Sequence, residues 1–328
     1  MKKRTCILMT VLICGLLVLA PLAAFAQKTT INVASTFPPD SPQDKGLKQF
    51  KQLVEERSGG RIEVLIHASG AMGDERSTFG MLSSGSLEYG AVGTNDISTF
   101  FPKYFICEVP YVFGSQDDFW KFWNGPGKEL SDIIEKQRAV RTDGVIFRGA
   151  RYLTAKRPIR TVDDVKGLKM RLPSVKSWFK VWEGFGALPS TIAFSEVYMA
   201  LKTGVVDAQE NPPETILTYK FYEAQKYLMD TEHVYSAARI LSSAAWWNSL
   251  KKEDQELLSQ AMAEGIAFAN NITRDGDAQF VKQLEEKGMT LIHVDKSGFK
   301  QKAQPVIDQM AKDQWDPAFY AKVKAALK

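Results

Sequence analysis

Apolar positions recur along this chain with two periods, and the sequence switches repeatedly from one to the other. TTINVAST alternates as a strand does and ends at FPPDSP. KGLKQFKQLVEERSGG follows, with apolar residues at 47, 50, 53 and 54 and a glycine stop, which predicts an amphipathic helix. RIEVLIHAS predicts a second strand, ERSTFGMLSSGS a short helix and LEYGAVG a third strand. This order predicts an α/β unit with a mostly parallel sheet.

The pattern restarts after residue 140. DGVIFRGARYLTA predicts a strand and its continuation. Thr161 is placed to cap a short turn in TVDDVKG, and LKMRLP predicts a strand. SVKSWFKVWEGFG predicts a helix stopped by Gly184 and Gly186. LPSTIAF predicts a strand, SEVYMALKTG a helix capped by Ser195, and VVDAQEN another strand. The segment from Lys251 to Met289 is helical in pattern over most of its length. A helix that long must run along both units or bend near Gly265 or Gly276. The expected fold is therefore α/β, a two-lobed clamp with one long helix crossing both lobes. Its expected bounds are 27–148 plus 237–276 for lobe I and 149–236 plus 277–328 for lobe II.

The first 26 residues follow another logic. Lys2, Lys3 and Arg4 precede an uncharged apolar run, and Ala24 and Ala26 precede Gln27, the layout of a cleaved secretory signal. A retained membrane anchor fits less well, because Pro21 and the alanine-rich end look like a processing site. Cleavage changes the charge balance of the 328-residue chain, whose formal charge is +4. Without Lys2, Lys3 and Arg4, 39 Lys and Arg face 38 Asp and Glu, a formal charge of +1. Such a balance does not point to nucleic acid. Of three cysteines only Cys107 remains, which excludes an internal disulfide and is expected as a buried thiol. No second apolar segment is long enough to span a bilayer. The expected location is the periplasm.

Enzyme motifs are missing. There is no G-x-S-x-G, H-E-x-x-H, P-loop or Cys/His cluster, and GFGALP lacks the third glycine of a dinucleotide loop. His67, His233 and His293 are far apart, and Asp275 and Asp277 flank Gly276 without the rest of a calcium loop. Neither a cofactor nor a metal is expected. What remains is a set of strand ends in the second unit. Arg171 lies beside the last residue of the strand in KMRLP, facing away from Leu168, Met170 and Leu172. Arg151 ends VIFRGAR, and Asn211 ends VVDAQEN before Pro212 and Pro213. Ligands of open α/β sheets sit outside such ends. A guanidinium matches a carboxylate with two parallel bonds, and an amide serves a further oxygen. Each residue alone reads as a solvated or capping group; the three together favour a site.

GLKMRLP, FGALPSTIAFSEVYMALKTGVVDAQENP, GARYLTAKRPIRTVDDVKGLKMR, INVASTFPPDSPQDKG and WWNSLKKEDQELL together resemble the solute-binding proteins of TRAP transporters, the DctP-like family. The resemblance spans essentially the whole mature chain. It implies a periplasmic binding protein fold and a ligand carboxylate clamped by Arg171, with Arg151, Asn211 and Phe194 beside it. It implies no enzymatic activity, and TRAP membrane subunits as partners. Phe37 and Trp247 could line the first-lobe half of the pocket, and Ser35 and Thr36 could bond the ligand's far end. Trp178 and Trp182 share a helix face, at least one in the core, and Tyr89 stands evenly between core and pocket. The reading is a monomeric protein that captures a small organic anion and delivers it to a TRAP-type transporter. A C4-dicarboxylate, hydroxy or keto acid, sugar acid, aromatic acid or sulfonate all remain open. The alternatives are an exported enzyme acting on a small carboxylate and an anion-sensing module.

Overall fold

The computed structural model describes residues 28–328, apart from the side chain of Asp275. The expected signal segment and the Gln27 terminus lie outside the described residues. The first half runs β1 (Thr29–Ser35), α1 (Pro42–Arg57), β2 (Ile62–His67), α2 (Glu75–Ser84), β3 (Tyr89–Val92), α3 (Asn95–Phe100), α4 (Gln116–Asn124), α5 (Pro126–Arg138) and β4 (Val140–Ala150). Next come β5 (Tyr152–Ala155), β6 (Lys169–Leu172), α6 (Lys176–Gly184), β7 (Leu188–Thr191), α7 (Val197–Thr203), β8 (Ala208–Asn211), α8 (Pro213–Thr218) and β9 (Tyr227–Met229). The chain closes with β10 (Tyr235–Ser243), α9 (Ala244–Ser249), α10 (Lys252–Glu286), β11 (Thr290–Ile292), α11 (Lys296–Asp313) and α12 (Pro317–Ala326).

Two sheets result, ordered β2-β1-β3-β10-β4 and β11-β9-β5-β8-β6-β7. Each has a parallel part, β2-β1-β3 and β8-β6-β7, as the helix-linked strands require. The expected mostly parallel sheets are in fact mixed. β10 runs antiparallel to both β3 and β4, and β5 antiparallel to both β8 and β9. The reason is that two chain passages travel between the sheets in opposite directions. β4 leaves the first sheet, passes Arg151 and continues as β5 of the second. β9 returns through residues 230–234 to β10. The two passages are stitched where the Arg151 N–H donates to the Val234 carbonyl at 2.8 Å.

α10 is a third link, a single helix that packs on α1 and β4, then on α8 and β11. It has no break at Gly265. That glycine faces Gly46 of α1, and a Cβ on it would stand 2.6 Å from the Gly46 carbonyl oxygen. Close helix approach, rather than a bend, uses it. The largest apolar core is continuous, from Phe79 and Phe119 through Met170 and Trp182 to Phe299 and Phe319. A second core lies between β1–β3 and α1 with α10, and includes Phe50, Tyr89 and Ala261. Tyr89 is thus a core residue. The last helix, α12, packs on α4 and α5, elements from the first half of the chain. The expected Thr161 cap forms, with Asp164 completing a capping box. The expected Ser195 cap does not, because a 3-10 turn over Phe194–Glu196 precedes α7 and no side chain caps that helix. Among the described residues no helix is long and apolar enough to cross a membrane.

Candidate functional site

A cleft of about 790 Å³ opens where the two sheets meet, and its walls come from both. Arg171 enters from β6. Its strand neighbours Met170 and Leu172 are fully buried in the core, so alternation turns the guanidinium the other way. Nε donates to the Ile192 carbonyl at 3.0 Å, and the guanidinium lies 5.5 Å from the centre of the Phe194 ring. The side chain is 4% exposed, yet among the described residues it has no ion pair, and its terminal nitrogens are left for the cleft. Burial lowers its pKa to about 10, which leaves it charged at neutral pH and makes an anionic partner favourable.

Arg151 also reaches the cleft wall but is differently employed. It sits at the crossing between β4 and β5, not at the end of a second-sheet strand as expected. Nε pairs with Glu210 Oε2. Nη2 donates to Glu210 Oε1 at 2.9 Å, to the Glu210 carbonyl at 2.8 Å and to Asn211 Oδ1 at 2.9 Å. Nη1 donates to Ser236 Oγ at 3.2 Å, and the guanidinium lies 4.9 Å from the Trp178 ring centre. Only an N–H of Nη1 is left over. Glu210 accepts a further contact from His233 Nε2 at 3.0 Å. Burial opposes the Glu210 charge, but Arg151 and His233 outweigh it and its pKa falls. Arg151 is thus a buried pair that orients Asn211. The Asn211 amide nitrogen donates to Gln209 Oε1 at 2.7 Å and keeps one hydrogen for the cleft.

Phe194, Phe37 and Thr36 line the cleft too. Phe194 rests edge-on against Tyr219 with ring centres 4.4 Å apart. Two expectations fail. Ser35 is not in the lining; its hydroxyl accepts the Phe37 N–H at 3.2 Å and shapes the turn leaving β1. Trp247 lies in the second core beneath Arg141, whose guanidinium is 3.8 Å from its ring centre. The short α9 that carries it starts at the far end of β10, where that strand pairs with Val140. Trp182 is wholly core, whereas Trp178 is buried but contributes to the wall. The three histidines bond elsewhere: His67 to Asn32, His233 to Thr231 and Glu210, and His293 to Asp230. Cys107 is buried and its thiol pKa is pushed well up by burial.

Among the lining residues that escaped the sequence reading, Arg148, Glu75 and Glu214 bear most on the charge of the cleft. Arg148 comes from β4, Glu75 from the start of α2 and Glu214 from α8. Glu75 accepts the N–H groups of Gly93 at 2.9 Å and Asn95 at 3.2 Å, fixing the turn after β3. Burial, with Asp96 nearby, raises its pKa to about 7. The one local signal for Arg148 was FRGAR, a glycine between cations; Gly149 has φ +93° and breaks the alternation that would otherwise set its direction.

Residues 33–314 match the family described as bacterial extracellular solute-binding protein, family 7. This chain belongs to that family. It is 28% identical over 302 residues to the C4-dicarboxylate-binding periplasmic protein DctP of Rhodobacter capsulatus, covering 88% of each chain. Over 293 residues it is 28% identical to the sialic acid-binding periplasmic protein SiaP of Vibrio cholerae, covering 89% of this chain and 91% of that one. Among solved structures, the sugar acid binding protein of Advenella mimigardefordensis in complex with galactonate superposes with a TM-score of 0.86. It is 28% identical and covers 92% of this chain and 98% of its own. A TRAP periplasmic solute binding protein from Polaromonas bound to D-erythronate gives 0.84 at 28% identity, with the same coverage. The two-lobed α/β architecture of these solute-binding proteins is the architecture of this member of the family.

Proposed function

We propose that this chain captures a small organic anion, most simply a carboxylate, in the cleft and hands it to a TRAP-type secondary transporter. The observation that carries the reading is Arg171, a buried cation with no ion pair among the described residues and its terminal nitrogens toward the cleft. The relatives named for a C4-dicarboxylate, for sialic acid and for sugar acids all take organic anions, which supports it. The carboxylate would bridge the Arg171 fork, with Asn211 and the spare Arg151 hydrogen on its remaining lone pairs, and the ligand body would lie against Phe194 and Phe37. A micromolar Kd corresponds to about −8 kcal/mol. One bond to a charged group supplies roughly 1.5–3 kcal/mol, so the aromatic walls and further polar contacts must supply the rest.

Residues 1–26 are proposed to be removed on export, leaving a monomer that starts at Gln27 in the periplasm, binds no nucleic acid and performs no chemistry on its ligand. Residues 27–148 plus 237–276 and 149–236 plus 277–328 are proposed to close on each other about the two crossing passages. The packing of α12 on α4 and α5 favours moving that helix with the first body. Native mass spectrometry of protein exported from its host tests the central claim. A co-purifying organic acid, lost on Arg171→Ala, is the expected result; a neutral solute, or an acid retained by the folded variant, would overturn it. Intact mass decides the N-terminus in the same experiment.

A further inference from the structure

Arg148 has the same three features as Arg171. It lines the cleft, it has no ion pair among the described residues, and its guanidinium lies over a phenylalanine, 5.0 Å from the Phe37 ring centre. Its single hydrogen bond runs from Nη2 to Thr215 Oγ1 at 3.2 Å, and its Nε is buried without a partner. The two platforms come from opposite walls. Phe37 follows β1 of the first sheet, and Phe194 follows β7 of the second.

The nearby carboxylates do not account for Arg148. Glu75 is spent on the Gly93 and Asn95 amides, and Glu108 on Thr94 and Ala237. Glu214 accepts the hydroxyls of Thr215 and Thr218. All three have raised pKa values, burial being the first cause, so they are reluctant counter-ions. Arg151, the cation between the two platforms in the sequence, is already matched by Glu210. Apart from the exposed Arg76 at the rim, Arg148 and Arg171 are thus the arginines of the cleft lining that no carboxylate pairs among the described residues. Burial, then Arg151, lowers the pKa of Arg148, the direction expected of a cation awaiting an anion.

We propose that Arg148 is a second anion-binding residue and that the ligand is a diacid, one acidic group on Arg171 and the other on Arg148. This rests on the organic-anion reading of the same cleft. Hydroxyls between the two acid groups would meet Thr36, Thr215 and Asn211.

Matched acids of equal carbon chain test it: butyrate with succinate, D-erythronate with meso-tartrate, and D-galactonate with galactarate. Titration calorimetry on ligand-stripped mature protein should show, in at least one pair, the diacid binding about 30-fold or more tighter than its monoacid, the loss of one desolvated charge pair. Arg148→Gln should shrink that ratio to within about threefold, and Arg148→Lys should restore part of it. Circular dichroism checks that each variant is folded; if Arg148→Gln is not, the lysine variant alone must still lower the ratio, because an ammonium lacks the fork. Equal binding of mono- and diacid by the wild type, or equal weakening of both by Arg148→Gln, overturns the second site while leaving Arg171 its role. Binding that survives Arg171→Gln, or no binding of any acid, overturns the anion reading itself and this proposal with it.

Discussion

Arg171 is held by one internal bond and Arg151 by five, so the two cations predict different mutants. Arg171→Ala should weaken the co-purified acid by about 30- to 5,000-fold, the range for stripping one partner from a desolvated charge pair, with little change in melting temperature. Arg171→Lys should recover little, because an ammonium cannot offer two parallel bonds. Arg151→Ala should instead unfold easily, by roughly 3–5 kcal/mol, since it strands the buried Glu210 charge. Calorimetry and urea melts on the same three proteins separate the two behaviours. A normal urea midpoint for Arg151→Ala would defeat the structural role. Two carboxyls set a pH dependence. Burial raises Glu75 from 4.5 and Asp277 from 3.8, each to about 7. Between the lower and upper values the folded chain holds more protons than the unfolded one, so stability falls as pH rises through that window and levels off above it. Glu75→Gln and Asp277→Asn should each flatten this fall, by on the order of 1 kcal/mol once solvent screening is allowed for. Melting temperatures at acid and neutral pH check it; slopes identical to wild type would refute it.

Many helices and strands were legible at the scale of the element, including the wholly buried β3 and β8. β1, α1, β2, α2, β3, β6, α6 and β8 appear where the periods put them, because a period belongs to one segment and needs no partner. Glycine was read less well. Gly265 and Gly276 looked like bend points, but α10 passes both as one helix. A Cβ on Gly265 would also press on Phe50 Cβ at 3.2 Å, so the residue is small in order that α1 can touch α10. Gly265→Ala should therefore cost about 1–3 kcal/mol from overpacking, despite the helix propensity of alanine. Gly80 is the contrast. It is exposed inside α2 with nothing within 4 Å of a Cβ, so Gly80→Ala should stabilise by about 0.5–1 kcal/mol. Urea denaturation of both variants reads the two signs, and a destabilised Gly80→Ala would show that α2 is more constrained than its surface suggests.

At the scale of the whole molecule, the cleft is bounded by two sheets joined through β4–β5, β9–β10 and α10. A ligand held from both walls favours a closed form by its differential affinity. Small-angle scattering with the cognate acid should show a smaller radius of gyration than without it. An unchanged value at saturation would mean a rigid pocket. The continuous core from Phe79 to Phe319 restrains how far the bodies separate, so closure should be a hinge of modest angle rather than a detachment.

The chain's periods alone determined two successive α/β units and a long helix, and Arg171, Arg151 and Asn211 were legible as candidate groups near strand ends, with Phe194 added by the family resemblance. These are properties of neighbouring residues. Which charges are free was decided only by the tertiary structure. Arg151 and Arg148 stand three residues apart and look alike in sequence, yet Glu210, 59 residues away from Arg151, takes one and leaves the other to the cleft. Ser35 and Trp247 likewise looked available until the Phe37 amide and the Arg141 guanidinium claimed them. A sequence shows which groups can bond; only the fold settles which partners desolvation forces upon them, because an unpaired charge is costly solely where water has been excluded.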